Sequence, residues 1–200
     1  MSAKYLEREL EVTYKCAYRI LSHIRKALKQ DKTLLKGDVE VDTGYFGGKG
    51  YGGKNNEKLG NAMAKKSVVI VGVERGGKIK ASIAEDSSGY SMKKFLVENV
   101  QAKATSLITD ESGVFKGGAK GYDRHSVNHN KGEYVRDDIH VNTVETFFAH
   151  LKRSIKGTFK SVSKQHLQSY LDAFVFHYNN RHSDKARFEA LLGALLQPVV

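Results

Sequence analysis

The chain predicts an α/β domain in which a mixed sheet is flanked by helices, and three observations lead there. Apolar residues recur at helical spacing up to about residue 29, and near Gly37 the period switches to the alternation of a strand. A buried-strand run, Val68-Val69-Ile70-Val71, then precedes an Arg75-Gly76-Gly77 turn and a second alternating run. Helical and extended stretches follow one another from there, which is the order of a layered α/β fold.

The opening residues suit a helical pair. Ser2 can cap a helix over 3–10, and Thr13 a longer one running to about Lys29, with Ala17, Ile20, Leu21, Ile24 and Leu28 on one stripe. The pair, 1–33, resembles the end of a helix-turn-helix unit and equally a plain helical hairpin packed on the main domain. Cys16 falls within this apolar helix and is expected to be a buried, inert thiol; a single cysteine excludes an internal disulfide and a multi-cysteine zinc site. From Gly37, Asp38, Glu40 and Asp42 alternate with Val39 and Val41, a strand with one acidic face. Such a face needs a bound cation or basic neighbours. Residues 44–66, rich in Gly, Lys and Asn, are expected to form a basic loop that tracks DNA or is a solvated linker; a P-loop ending is missing.

Strands are expected over 67–74 and 78–84, a helix over 90–100, and a strand over 105–109 that ends on Asp110. A short helix or turn at 114–118 and an extended segment at 123–129 come next. Helices over 142–156, 163–178 and 187–196 complete the chain. Tyr170, Phe174 and Tyr178 recur at i+4 and are expected in the core. This order is that of the RNase H-like fold, with the main domain spanning 37–182 and a C-terminal helix in 183–200.

Composition bounds the function. Two hundred residues, 40% hydrophobic and 28% charged, suit one packed domain with a small appendage. No apolar run approaches the ~20 residues that cross a bilayer, and Met1 to Glu11 lacks the apolar stretch of a signal peptide. A cytoplasmic, nucleoid-associated protein with no membrane partner is expected. Thirty-three Lys and Arg against 22 Asp and Glu leave a net charge of +11, which suits a polyanion such as nucleic acid.

Three carboxylates carry the chemistry. Asp110 ends an inner strand, Asp42 lies on the neighbouring first strand, and Glu145 comes from the helix beyond the last strand. Converging, they would repel unless metal neutralised them, and hard oxygen ligands favour Mg²⁺ or Mn²⁺. Two such ions about 4 Å apart serve phosphodiester displacement. On the helix over 142–156, Val144, Phe148, Leu151 and Ile155 form the stripe expected to pack on the sheet, while Asn142, Glu145, Ala149, Lys152 and Lys156 line its edge. Lys152 lies two turns after Glu145, on the same side, suited to DNA phosphate. His125, His129 and His140 make a poorer zinc cluster, because no cysteine accompanies them.

The stretch from Val39 to Arg181 resembles the IS1595 group of bacterial insertion-sequence transposases, the ISXO2-like transposase domain. The matching pieces are VEVDTGYFGGK (39–49), VVIVGVERGGKI (68–79), LITDESGVFKG (107–117), HSVNHNKGEYV (125–135), HVNTVETFFAHLKRSIKGTF (140–159) and HLQSYLDAFVFHYNNR (166–181). The separation of 35 positions from Asp110 to Glu145, and a lysine seven after the Glu, are also similar to DDE transposases. The resemblance implies DNA cleavage and strand transfer at element ends, with Asp42, Asp110 and Glu145 as catalytic metal ligands. It places Lys152 near the scissile phosphate and His140 and Asn142 along the site; Arg153 and Lys156 complete the expected DNA-binding set. Joining two ends implies an oligomer on DNA. Thr43 stands where relatives often carry an acid, and Phe148 where they often carry Trp. A zinc ribbon and a full helix-turn-helix commonly begin such proteins, so the chain looks shortened, either a fragment or a degenerate copy. Two other classes compete: another metal-dependent nuclease of this fold, and a non-catalytic DNA-binding remnant.

Overall fold

The computed structural model describes residues 1–47, 66–111, 113–127 and 141–196, without the side chains of 103–105 and 127. Most of the loop expected over 44–66, together with His129 and His140, lies outside the described residues.

Two compact units are present: 1–31 with 153–200, and 32–152. The larger unit holds a five-stranded sheet among the described residues. Its strands are β1 (Leu35–Phe46), β2 (Ser67–Glu74), β3 (Ile79–Ala84), β4 (Val100–Asp110) and β5 (Asp123–Val127), in the order β3-β2-β1-β4-β5. β1, β2 and β3 pair antiparallel, while β4 runs parallel to both β1 and β5. Three antiparallel strands followed by two parallel ones is the RNase H-like arrangement, a mixed α/β sheet. The β2–β3 turn places Gly76 at φ +69°, a left-handed conformation that glycine adopts without strain.

One face of the sheet is sealed by apolar side chains. Val39, Val41, Ile70 and Leu107 pack with Met92, Phe95 and Leu96 of α3 (Gly89–Asn99) and with Phe115 of α4 (Gly113–Gly118). Ser88 caps α3 by accepting from Ser91 N–H. On the opposite face lie Glu40, Asp42 and Gly44 with their strand partners Val73, Val71 and Val69. That face meets α5 (Asn142–Ser154), where a Cβ on Gly44 would fall 2.6 Å from the Phe148 ring. Val144, Phe147, Phe148 and Leu151 of α5 are buried; each contributes about 1.5–3 kcal/mol from leaving water.

The smaller unit begins with α1 (Ala3–Glu9) and α2 (Tyr14–Ala27), capped by Ser2 and Thr13 and packed through Leu6, Ala17 and Leu21. It closes with a π-helical turn (Ile155–Phe159), α6 (Lys164–Asn179) and α7 (Asp184–Leu196). Arg25 stacks 4.1 Å from the ring centroid of Tyr170. Among the described residues no helix is long and apolar enough to cross a membrane.

Three packing expectations need correction. Cys16 is exposed rather than buried, because the buried stripe of α2 runs through Ala17 and Leu21, about 100° around the helix. The core residues of α6 are Leu167, Leu171 and Val175; Tyr170, Phe174 and Tyr178 flank them half-buried. Ile155 leaves the expected stripe because α5 ends at Ser154 and the wider π turn shifts the helical phase, and Phe147 is the buried residue instead.

Candidate active site

The parallel ladder between β1 and β4 runs through Val39–Leu107 to Glu40–Ile108. The next residue on the Glu40 face of each strand is Asp42 on β1 and Asp110 on β4. Side chains alternate along a strand and neighbouring strands lie about 4.8 Å apart, so the two carboxylates leave the same edge of the same face. Asp110 is also the last residue of β4, paired with Val127 of β5. Both Asp side chains are partly buried.

The third acid comes from α5, which brings Glu145 in its first turn. Glu145 is exposed, as are Asn142, Ala149 and Lys152, so the edge of the helix is polar and open, while its apolar stripe is buried. Lys152 lies with Nζ 5.9 Å from the ring centroid of Phe46 and 5.8 Å from that of Phe148. This perch keeps the ammonium over aromatic faces at the site's border.

Electrostatics ties the four groups together. Burial pushes the Asp42 carboxyl up to about 6, the negative charges of Asp110 and Glu145 push in the same direction, and a hydrogen bond from Thr43 N–H with the charge of Lys152 opposes them. Asp42 thus feels both other acids at once, which is the field a cation would relieve.

Among the described residues no three His, Cys, Asp or Glu side chains converge tightly enough to hold a metal ion. The donors themselves, three carboxylates beside a lysine, fit a hard divalent ion such as Mg²⁺ or Mn²⁺. His125, in the middle of β5 opposite Ile108, lies with Nε2 3.4 Å from Asp123 Oδ2.

The remaining expected DNA contacts divide between the units. Asn142 opens α5 and Lys152 lies ten residues on, both in the larger unit. Arg153, the next residue of the same helix, and Lys156 in the π turn belong to the smaller unit; both are exposed. His140 is outside the described residues.

Sequence reasoning missed two supports. Arg124 of β5 donates from Nε to Thr109 Oγ1 at 2.8 Å and from Nη2 to the Asp110 carbonyl at 2.7 Å, clamping the strand end that carries Asp110. Burial pulls its guanidinium down from the usual range, and Asp110 and Glu111 offset this. Glu40 is buried completely and bonded to Arg75, Thr143 and Val144. For Glu40 the alternation on β1 was the available signal; nothing in the sequence marked Arg124.

Comparison with known proteins bears on the same residues. The ISXO2-like transposase domain family matches residues 34–179, which spans the whole sheet and α5. The chain is 31% identical to an uncharacterized protein in transposable element ISH50 of Halobacterium salinarum, over 86% of this chain and 63% of that relative. It therefore spans less than two thirds of the relative's length. A chain of the simian T-cell lymphotropic virus intasome, solved in complex with PP2A regulatory subunit B56 gamma, is 10% identical with a TM-score of 0.37. That match covers 74% of this chain and 51% of the other.

Proposed function

Because the chain belongs to the ISXO2-like transposase domain family, we propose that it is a DNA transposase that cleaves and joins strands at insertion-sequence ends through a two-metal DDE site. The observation that carries this reading is the placement of Asp42 and Asp110 on one face of neighbouring parallel strands, beside the helix whose first turn carries Glu145. Asp42, Asp110 and Glu145 are the catalytic residues in this account, and they would hold two Mg²⁺ or Mn²⁺ ions. Bound there, the ions would supply Lewis-acid activation of an attacking hydroxyl and charge neutralisation at the leaving oxygen.

The chain's own groups do the remaining work. Asp42 must give up its proton to become a ligand, and Lys152 favours that by its positive charge. Lys152 then remains to grip a DNA phosphate as a point charge. Asn142 and His140 would line the path of the strand, with Arg153 and Lys156 extending the cationic surface. Arg124 keeps the β4 terminus, and with it Asp110, in place. The net charge of +11 supports a polyanionic partner. Joining two ends calls for an oligomer on DNA, and acting on a chromosome calls for a cytoplasmic, nucleoid-associated location.

A gel assay on labelled DNA bearing the element's ends tests the reading, with Mg²⁺ or Mn²⁺ and the native, Asp42→Asn and Glu145→Gln proteins. Metal-dependent cleaved and joined products from the native chain alone are expected. Salt-sensitive DNA binding without products from any protein would favour a binding-only remnant.

A further inference from the structure

The first-turn N–H groups of an α-helix have no partner within the helix. In α5 two of them are met by a distant strand residue: Thr143 N–H and Val144 N–H donate to Glu40 Oε2 at 2.8 and 3.1 Å. The Thr143 hydroxyl donates to Glu40 Oε1 at 2.9 Å, and Arg75 Nε donates to the same oxygen at 2.9 Å from the β2–β3 turn. Glu40 has no exposure to solvent, so its charge has exchanged hydration for these bonds and for the positive end of the helix dipole.

The spacing on both elements gives this cluster a consequence. Glu40 and Asp42 stand two apart on one face of β1, while Thr143, Val144 and Glu145 all belong to the first turn of α5. The bonds at Glu40 therefore tie strand to helix immediately beside the two acids that must cooperate. We propose that Glu40 is a positioning residue for the metal site, pinning the first turn of α5 to β1 so that Glu145 is held toward Asp42. Glu40 acts through the helix and touches neither metal nor DNA. The inference rests on the proposed metal site.

Chemistry makes the carboxylate hard to replace. The bonds to Glu40 from Arg75, Thr143 and Val144 all come from donors: a guanidinium, two amides and a hydroxyl. Glu40→Gln keeps the shape but places an amide NH₂ among those donors, where one oxygen must serve them all.

The test is Mn²⁺ binding, followed by the spin-resonance signal of free ion, with thermal unfolding recorded on the same samples. Glu40→Gln should bind Mn²⁺ about tenfold more weakly or worse, as when a group orienting a metal ligand is lost, while unfolding remains cooperative. Thr143→Val, which keeps both N–H bonds, should weaken binding roughly threefold, the loss of one modest hydrogen bond. A Glu40→Gln protein that melts earlier yet binds Mn²⁺ with native affinity would overturn the proposal and leave Glu40 a purely structural group. If Glu40→Gln fails to fold, native affinity in Thr143→Val overturns it instead. Asp42→Asn and Glu145→Gln test the metal site separately: Mn²⁺ binding unchanged in both would sink the site itself, and the proposal with it.

Discussion

A Cβ atom on Gly44 would stand 2.6 Å from Cε1 of Phe148, so the helix carrying Glu145 rests directly on the strand carrying Asp42. Phe148 also meets Phe46, with ring centroids 6.0 Å apart and the rings tilted by 32°. Gly44→Ala must push the ring and the helix outward. It should lower stability by about 1–3 kcal/mol, the usual range for overpacking, and weaken Mn²⁺ binding as Glu145 moves away. Thermal unfolding and metal titration of the single variant check both effects.

The raised Asp42 carboxyl makes stability depend on pH in a definite direction. An acid whose pKa rises on folding, here from 3.8 to about 6, binds its proton more tightly in the native state. Between those values the native protein holds more protons than the unfolded chain, so metal-free stability falls as pH rises through the window. Two units correspond to about 3 kcal/mol at most, less for a partly exposed group. Asp42→Asn should lack this slope and melt higher than the native protein at pH 8 without metal. Denaturant unfolding at pH 4 and pH 8 measures it. Since metal competes with the Asp42 proton, Mn²⁺ affinity should also drop below about pH 6.

Lys152 lowers the Asp42 carboxyl by its charge. Lys152→Ala should therefore move the acid limb of Mn²⁺ binding to higher pH. It should also weaken DNA binding while reducing the salt slope by about one phosphate contact. A pH-resolved metal titration and a salt series on one DNA duplex separate the two roles.

Arg124→Met removes the two hydrogen bonds that fix Thr109 and the Asp110 carbonyl. A loss of about 1–3 kcal/mol is expected, with DNA cleavage falling further than stability explains because the Asp110 strand end is released. Comparing cleavage rates well below the melting temperature isolates that effect.

The features legible in the sequence came from local rules. Ser2 and Thr13 mark helix starts because their hydroxyls cap first-turn amides wherever the helix later packs. Asp110 at a strand end, and Glu145 and Lys152 on one helical edge, come from periods of 2 and 3.6. Glu40 shows the boundary. Alternation places it on the acidic face with Asp42, but its partners Thr143 and Val144 lie more than a hundred residues away, and only the tertiary arrival of α5 decides that this acid is buried. Asp38, on the same alternation, is exposed. Arg124 escaped notice for the same reason, since it matters through the neighbouring parallel strand. The start of β4 at Val100 was hidden by the polar residues Gln101 and Lys103, which carry little strand propensity.

If Asp110 is a ligand of the proposed catalytic metal, replacing its oxygen by sulfur should change which metal supports cleavage. Asp110→Cys should be inactive on labelled element-end DNA in Mg²⁺, which binds thiolate poorly, and regain cleavage in the more thiophilic Mn²⁺. Cleavage by Asp110→Cys in Mg²⁺ at the native rate would contradict the account.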